Sequence, residues 1–371
     1  EPLALLIAAV AAANAQQPAS LRVSAGKAHA CVYASGYCAY CFGDNAKMQI
    51  GAHYNSASPE LTRTPKIWNG VPGSVRSTGS NGLWPVDGFD TGGDTTCVTS
   101  GGSEMACWGE VDQAPPVISA TPVAIGLAVM PVKVMSTSGV NACVVGAHTA
   151  TLATCKGDFG SVLRPNGLHM QMTGVDIISP NAVDFVQVSA GFDHACALDA
   201  NGDVWCAGHN RHGQCRTSGP EFVNTNAMVK FNAGYTARHV VASHQFTAIL
   251  SHSGQLYLYG RDRYGGLFWS FPRSRLNCVK SPGSFWSTID CGKGFCCGIR
   301  SNGGTAVAGS VQCFGYNNKQ QAIPANGGTT ITSTIFLTPT TVSFPTNLFG
   351  TSTSSMGNPM HVGTGDNFAC A

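Results

Sequence analysis

The chain has 371 residues, of which 43% are hydrophobic and 11% charged, with 21 Lys+Arg against 19 Asp+Glu for a formal net charge of +2. That composition excludes a chain disordered throughout, and the balanced charge gives no electrostatic footprint for nucleic acid or an acidic membrane surface. Gly (45) and Pro (19) mark many turns, and 16 cysteines are the usage of an oxidising compartment, so the chain reads as turn-rich, β-rich and of secreted type.

Residues 3–13 (LALLIAAVAAA) form an apolar run ending in Ala13-Asn14-Ala15, the small-x-small pattern of a cleavage site. The run is too short for a bilayer, which takes about 20 residues. Residues 1–15 are therefore expected to be a signal peptide, or an apolar helix retained on the protein body. No Asn-x-Ser/Thr sequon occurs, so N-glycans are not expected.

Past Leu21 the sequence repeats itself. Val23–Asn45 (VSAGKAHACVYASGYCAYCFGDN) and Val188–Asn210 (VSAGFDHACALDANGDVWCAGHN) each read as a strand, a Gly turn, a second strand, a turn, and a third strand ending in C-x-G. Weaker copies run over Gly92–Gly109, Ser138–Gly157, Ser243–Gly260 and Gly292–Gly315, and a seventh start, GTGDNFACA, covers Gly363–Ala371. The first-cysteine slot falls at 31, 97, 143, 196, 248, 297 and 370. A period of about 50 residues built from short strands is that of a β-propeller blade, whose sheet buries both faces only by stacking on its neighbours.

Cys196 and Cys206 lie symmetrically about Asn201-Gly202, a hairpin turn signal, so they face each other across an antiparallel pair. At a non-hydrogen-bonded pair the Cα atoms stand about 4.5 Å apart, close enough for a disulfide. The same spacing pairs Cys31 with Cys41 and Cys97 with Cys107, while Cys143–Cys155 and Cys297–Cys313 span longer turns. In the fifth copy Ala248 and Leu258 fill the slot, as suits a packing position and not a catalytic one. Cys38, Cys215, Cys278, Cys291, Cys296 and Cys370 are left over; a Cys278–Cys291 bridge would close a short loop. Cys370 has no C-x-G partner strand, so the last blade reads as incomplete.

These copies resemble the regulator of chromosome condensation repeat, A-G-x-x-H-x-x-A-L followed by G-x-V-x-x-W-G-x-N-x-x-G-Q-L-G. Ala190–Gln214 matches best, through Gly191, His194, Leu198, Gly202, Val204, Gly208, Asn210, Gly213 and Gln214, and Gly260–Gly265 and Gly315–Asn317 keep part of the last loop. The resemblance implies an all-β fold: a single propeller of seven blades over residues 21–371, in a cysteine-paired version similar to extracellular relatives. It also implies a binding surface in place of an active site. The family's best known activity is nucleotide exchange on a small nuclear GTPase together with chromatin binding; the signal-like start, cysteine pairs and near-neutral charge depart from it.

Candidate sites are few. Cys206-x-x-His209-x-x-His212-x-x-Cys215 has zinc-ligand types and spacing, but Cys206 is already spoken for by Cys196 and the loop is the family's turn, so no metal is expected. His29 and His194 hold matching positions and are expected to hydrogen-bond backbone between blades. Asp87, Asp90 and Asp94 lie in a Gly-rich stretch that reads as a solvated acidic loop. Gly292-x-Gly294 lacks the helix of a dinucleotide site, and no G-x-S-x-G occurs, so neither catalysis nor a cofactor is expected. Arginines and aromatics gather at Arg261, Arg263, Tyr264, Phe268 and Trp269, residue types enriched at binding hot spots. The expected function is a secreted, non-catalytic protein-binding or structural subunit that meets a protein partner or self-assembles, with no nucleic acid. A lectin-like or small-ligand propeller and an exchange-factor-like regulator are the alternatives.

Overall fold

A computed structural model describes residues 21–34, 40–50, 62–67, 86–100, 105–111, 117–125, 132–139, 141–146, 153–157, 177–178, 183–210, 212–215, 222–223, 228–231, 233–261, 279–280, 285–301, 310–317, 335–341, 361–366 and 369–370. Among them every regular element is a β-strand, and no helix is long and apolar enough to cross a membrane.

The strands form antiparallel sheets, each following the chain outward from an inner strand. The inner strands of the first six sheets are Leu21–Ala25, Val86–Gly92, Val132–Thr137, Phe185–Ala190, Ala237–Ala242 and Trp286–Cys291, and a two-stranded seventh sheet joins Gly363–Thr364 to Ala369–Cys370. Each inner strand contacts the next in chain order, and Gly363–Thr364 touches both Trp286–Cys291 and Leu21–Ala25. This is the propeller arrangement expected from the repeat. Most of the stretch read as an acidic loop is instead the inner strand Val86–Gly92, which carries Asp87 and Asp90, while Gly93 and Asp94 form the turn after it; Gly88 serves close packing, for a Cβ there would stand 2.6 Å from the Thr99 hydroxyl.

Packing between sheets makes the core. The second strands Asn141–Gly146, His194–Asp199, Phe246–Ser251 and Phe295–Arg300 are buried along their whole length, as strands covered on both faces must be. On the inner strands Val23, Phe89, Met135, Val188, Val240, Ile289 and Val362 occupy equivalent buried positions. One cluster runs from Cys196 and Leu198 of the fourth sheet to Val240 and Ile249 of the fifth, and another from Leu250 and Leu258 to Trp286 and Ile289 of the sixth.

The disulfides sit where the hairpin spacing expects them: Cys31–Cys41, Cys97–Cys107, Cys143–Cys155, Cys196–Cys206 and Cys297–Cys313 each join register partners of a second and third strand. Cys291 corrects one expectation. It bonds Cys296, its register partner on the next strand, and not Cys278. Cys215 is a buried free thiol within reach of the Ala207 and His209 carbonyls. Cys38, Cys278 and the side chain of Cys370 lie outside the described residues.

Ala248 stands opposite Leu258 in the same register as the bonded pairs. The double substitution Ala248→Cys with Leu258→Cys is expected to form a sixth bond of this kind, seen as a loss of free thiol and of two mass units. Its constraint on the unfolded chain is worth up to about 3 kcal/mol. Losing the buried Leu258 side chain costs about 2–3 kcal/mol, so the urea midpoint should move little.

Candidate functional site

Seven inner segments enclose an axial channel of about 1080 Å³, lined by residues 22–27, 88–95, 134–139, 187–192, 239–245, 288–293 and 361–366. Its wall is set by one repeated contact. On five of the inner strands a side chain accepts the backbone N–H of the following strand: Ser24 from Thr91 (2.9 Å), Asp90 from Thr137 (2.7 Å), Ser136 from Ala190 (3.1 Å), Ser189 from Ala242 (2.9 Å) and Asp290 from Thr364 (2.6 Å). Two positions earlier a second set also reaches forward. The Gln187 amide brackets both backbone groups of Val240, and His239 donates to the Ile289 carbonyl at 3.0 Å. The turn that follows needs glycine because the next sheet comes so near: a Cβ on Gly191 would stand 2.5 Å from the Ser243 carbonyl oxygen.

His29 and His194 do bridge sheets, but to a hydroxyl and not to backbone. His29 Nε2 lies 2.8 Å from Thr96 Oγ1, and that hydroxyl donates to the Gln49 carbonyl at 2.7 Å. His194, Thr247 and the Gln214 carbonyl repeat the relay at 2.8 Å and 2.8 Å. Since the hydroxyl proton goes to the carbonyl, the His29 Nε2–H donates, which leaves its Nδ1 unpartnered. Asn141, in the corresponding place of the third sheet, donates to the Gly191 and Phe192 carbonyls at 2.8 and 2.9 Å.

Burial governs the titration of these groups. It pulls His29, His239 and His361 down to about 4, and pushes Asp90 and Asp290 up to about 6 against the hydrogen bonds they accept. Asp90 takes the Ser24 hydroxyl at 2.6 Å besides the Thr137 amide, and Asp290 takes the Thr364 hydroxyl at 3.1 Å. Their oxygens are thus committed to neighbouring sheets and do not converge on a reacting atom. Asp94 pairs with Lys27 at 3.0 Å, so Asp90 and Asp94 are held by different partners; the Asp87 side chain lies outside what is described.

At the mouth beside the Gly turns, Phe192 and His244 stack across the fourth and fifth sheets with centroids 4.3 Å apart and planes 18° apart. Arg261 is exposed and is fixed beside them, its N–H donating to the Gln245 carbonyl at 2.9 Å. Arg263, Tyr264, Phe268 and Trp269 lie outside the described residues. In the stretch with zinc-like spacing Cys206 is bonded to Cys196, His209 faces Asp193 at 3.4 Å, and Gln214 lies 3.1 Å from His209. Burial drives the Cys215 thiol upward, so it stays protonated.

Sequence reading missed the acceptor ring. Its signal is present: a Ser or Asp stands just before the small residue and glycine or serine that open each turn, in SAG, DTG, STS, SAG and DCG. Arg300, Trp286 and Ser310 at the other end of the sixth sheet were missed as well, and no motif marks them.

Residues 185–214 match the Regulator of chromosome condensation (RCC1) repeat. The ultraviolet-B receptor UVR8 of Arabidopsis thaliana is 24% identical over 168 residues, which are 44% of this chain and 37% of the receptor, so the chain matches well under half of that relative's length. Human WBSCR16 superposes with a TM-score of 0.67 at 15% identity, covering 95% of this chain and 86% of that one. Prp20p of Saccharomyces cerevisiae, whose binding to Gsp1p and histones has been characterised, gives 0.68 at 15% identity over 94% and 80%. At such identities the structural likeness is one of fold.

Asp290→Ala is expected to orphan the Thr364 amide at a cost of about 1–3 kcal/mol. Hydrogen exchange at Thr364 should quicken, with the amides of the fourth sheet unchanged; equal protection in both proteins would refute the bond's role. The pH dependence has a defined sign. The three histidines, near 6.5 when unfolded and about 4 when folded, contribute fully above pH 6.5 and lose that contribution as pH falls toward 4. The two aspartates, 3.8 unfolded and about 6 folded, act oppositely, contributing most below 3.8 and losing it as pH rises to 6. Three larger shifts outweigh two smaller ones, so urea midpoints should fall from pH 6.5 to 4. Asp90→Asn with Asp290→Asn should make that fall steeper.

Proposed function

This chain being a β-propeller of the regulator of chromosome condensation type, we propose that it works as a non-catalytic protein-binding module. The observation that carries the reading is the commitment of the channel's polar groups to holding sheets together. Ser24, Asp90, Ser136, Ser189 and Asp290 each accept a neighbouring backbone N–H. Recognition therefore falls to the rim, where the Phe192–His244 stack adjoins Gln245, whose carbonyl holds the Arg261 N–H. Aromatic and arginine side chains together are the composition of interface hot spots.

The compartment proposed is extracellular or at the cell surface, as a structural or binding subunit of an assembly. The support is six disulfides among the described residues and the apolar run at residues 3–13. A second reading, regulation of a small GTPase, draws on the likeness in fold to Prp20p, and it requires a partner met in an oxidising compartment or reduced thiols.

The native particle, purified from its source without reductant, decides between these. The first reading expects fixed companion chains or a polymer, and Arg261→Ala with Phe192→Ala should weaken the association about tenfold or more. A lone monomer that releases nucleotide from a GTPase would overturn it in favour of the second.

A further inference from the structure

We propose that the sixth sheet carries a binding site for a small oxyanion, a phosphate or carboxylate group, built on Arg300, Trp286 and Ser310. The internal repeat locates it. Phe185 pairs with Asp199 in the fourth sheet, Ala237 with Ser251 in the fifth, and Trp286 with Arg300 in the sixth, each at the same irregular step of the register. In the fourth sheet this slot is an acceptor: Asp199 takes the Asn201 and Asp203 amides and the Trp205 Nε1–H, all at 2.9 Å. In the fifth, the Ser251 hydroxyl oxygen takes the Gln255 amide at 3.1 Å. In the sixth a guanidinium stands there, and the slot turns from acceptor to donor.

Those donors have nothing to donate to. Arg300 is 6% exposed and its Nε and Nη1 are buried without a partner, as are Trp286 Nε1 and Ser310 Oγ. The guanidinium lies 5.4 Å over the Trp286 ring, and Arg238 of the fifth sheet donates to the Trp286 carbonyl. The stretch that forms the fifth and sixth sheets is poor in counter-ions. Between residues 237 and 365 the carboxylates are Asp262 and Asp290 alone, and Asp290 is held by Thr364. Asp262 lies outside the described residues. A buried guanidinium left unmatched is costly, whereas its planar fork matches the acceptors of an oxyanion, and the two other unpartnered donors belong to its register partner Trp286 and to Ser310, whose carbonyl takes the Arg300 backbone N–H at 3.0 Å.

Thermal unfolding of the full chain at constant ionic strength, in sodium chloride, acetate or phosphate, tests the site. A ligand that binds the folded state alone raises the transition by a constant step per tenfold increase above its Kd. The wild type should show that rise in phosphate, acetate or both, and not in chloride; the anion that acts identifies the chemistry. Arg300→Met should abolish the rise and, in chloride alone, melt at or above the wild type because it removes an unmatched charge. Trp286→Phe keeps a six-membered aromatic ring but loses the pyrrole ring with its N–H, so it should melt lower in chloride and need about tenfold more anion before the rise begins, which gives a reading even where Arg300→Met fails to fold. A wild type indifferent to both anions, a rise that survives Arg300→Met, or an unchanged affinity in Trp286→Phe would overturn the proposal.

Discussion

The bond from a polar side chain on one inner strand to the backbone N–H of the next is the contact on which the propeller depends. A radial sheet ends at the axis in an edge strand with unpaired amides, and an unpaired buried amide is as costly as a lost hydrogen bond. Pairing that edge to another strand would flatten the ring. A short side chain with an oxygen satisfies the amide while keeping neighbouring backbones a fixed small distance apart. Serine does this at Ser24, Ser136 and Ser189, and the longer aspartate at Asp90 and Asp290 adds a second acceptor for Ser24 or Thr364. Close approach follows, and with it the glycine two places after Ser24, Asp90, Ser189 and Asp290.

Much of the fold was legible because its determinants are local. Turn residues, cysteines equidistant from a turn and a recurring period all lie within one repeat, and they give strands, register and disulfides together. The ring of acceptors was equally present as letters, yet each member's partner lies about one repeat away, and no local rule links Ser189 to Ala242. The acidic stretch failed for a related reason. Gly88 and Gly92 resemble turn residues, whereas they are small because Thr99 and the Thr137 carbonyl press on them from other strands. Cys291 was misassigned because Cys296 and Cys297 are adjacent in sequence but alternate in facing, so each has its own partner across a different strand.

The candidate site was legible only in outline. Of the arginines and aromatics singled out in the sequence only Arg261 is among the described residues, and the stack of Phe192 on His244 unites two repeats and appears in neither. The matched histidines were rightly placed between sheets; the hydroxyl that receives them was not foreseen, because Thr96 and Thr247 carry no motif of their own.

The seam between the fifth and sixth sheets departs furthest from the repeat, and its compensations show how the constraint operates. Val241 stands where the neighbouring sheets have an acceptor, and its side chain can take nothing from the Cys291 amide. The Asp290 carboxylate of the sixth sheet holds Thr364 of the next. The fifth sheet meanwhile reverses its role and donates, through Arg238 to the Trp286 carbonyl, His239 to Ile289 and Ser243 to Gly292. Three donors to carbonyls replace one acceptor of an amide. That reversal gathers cationic and neutral donors on one side of the sixth sheet, in a stretch of sequence poor in carboxylates. An arginine in the slot where the fourth sheet has Asp199 therefore carries the donor character of the seam to the far end of the strand.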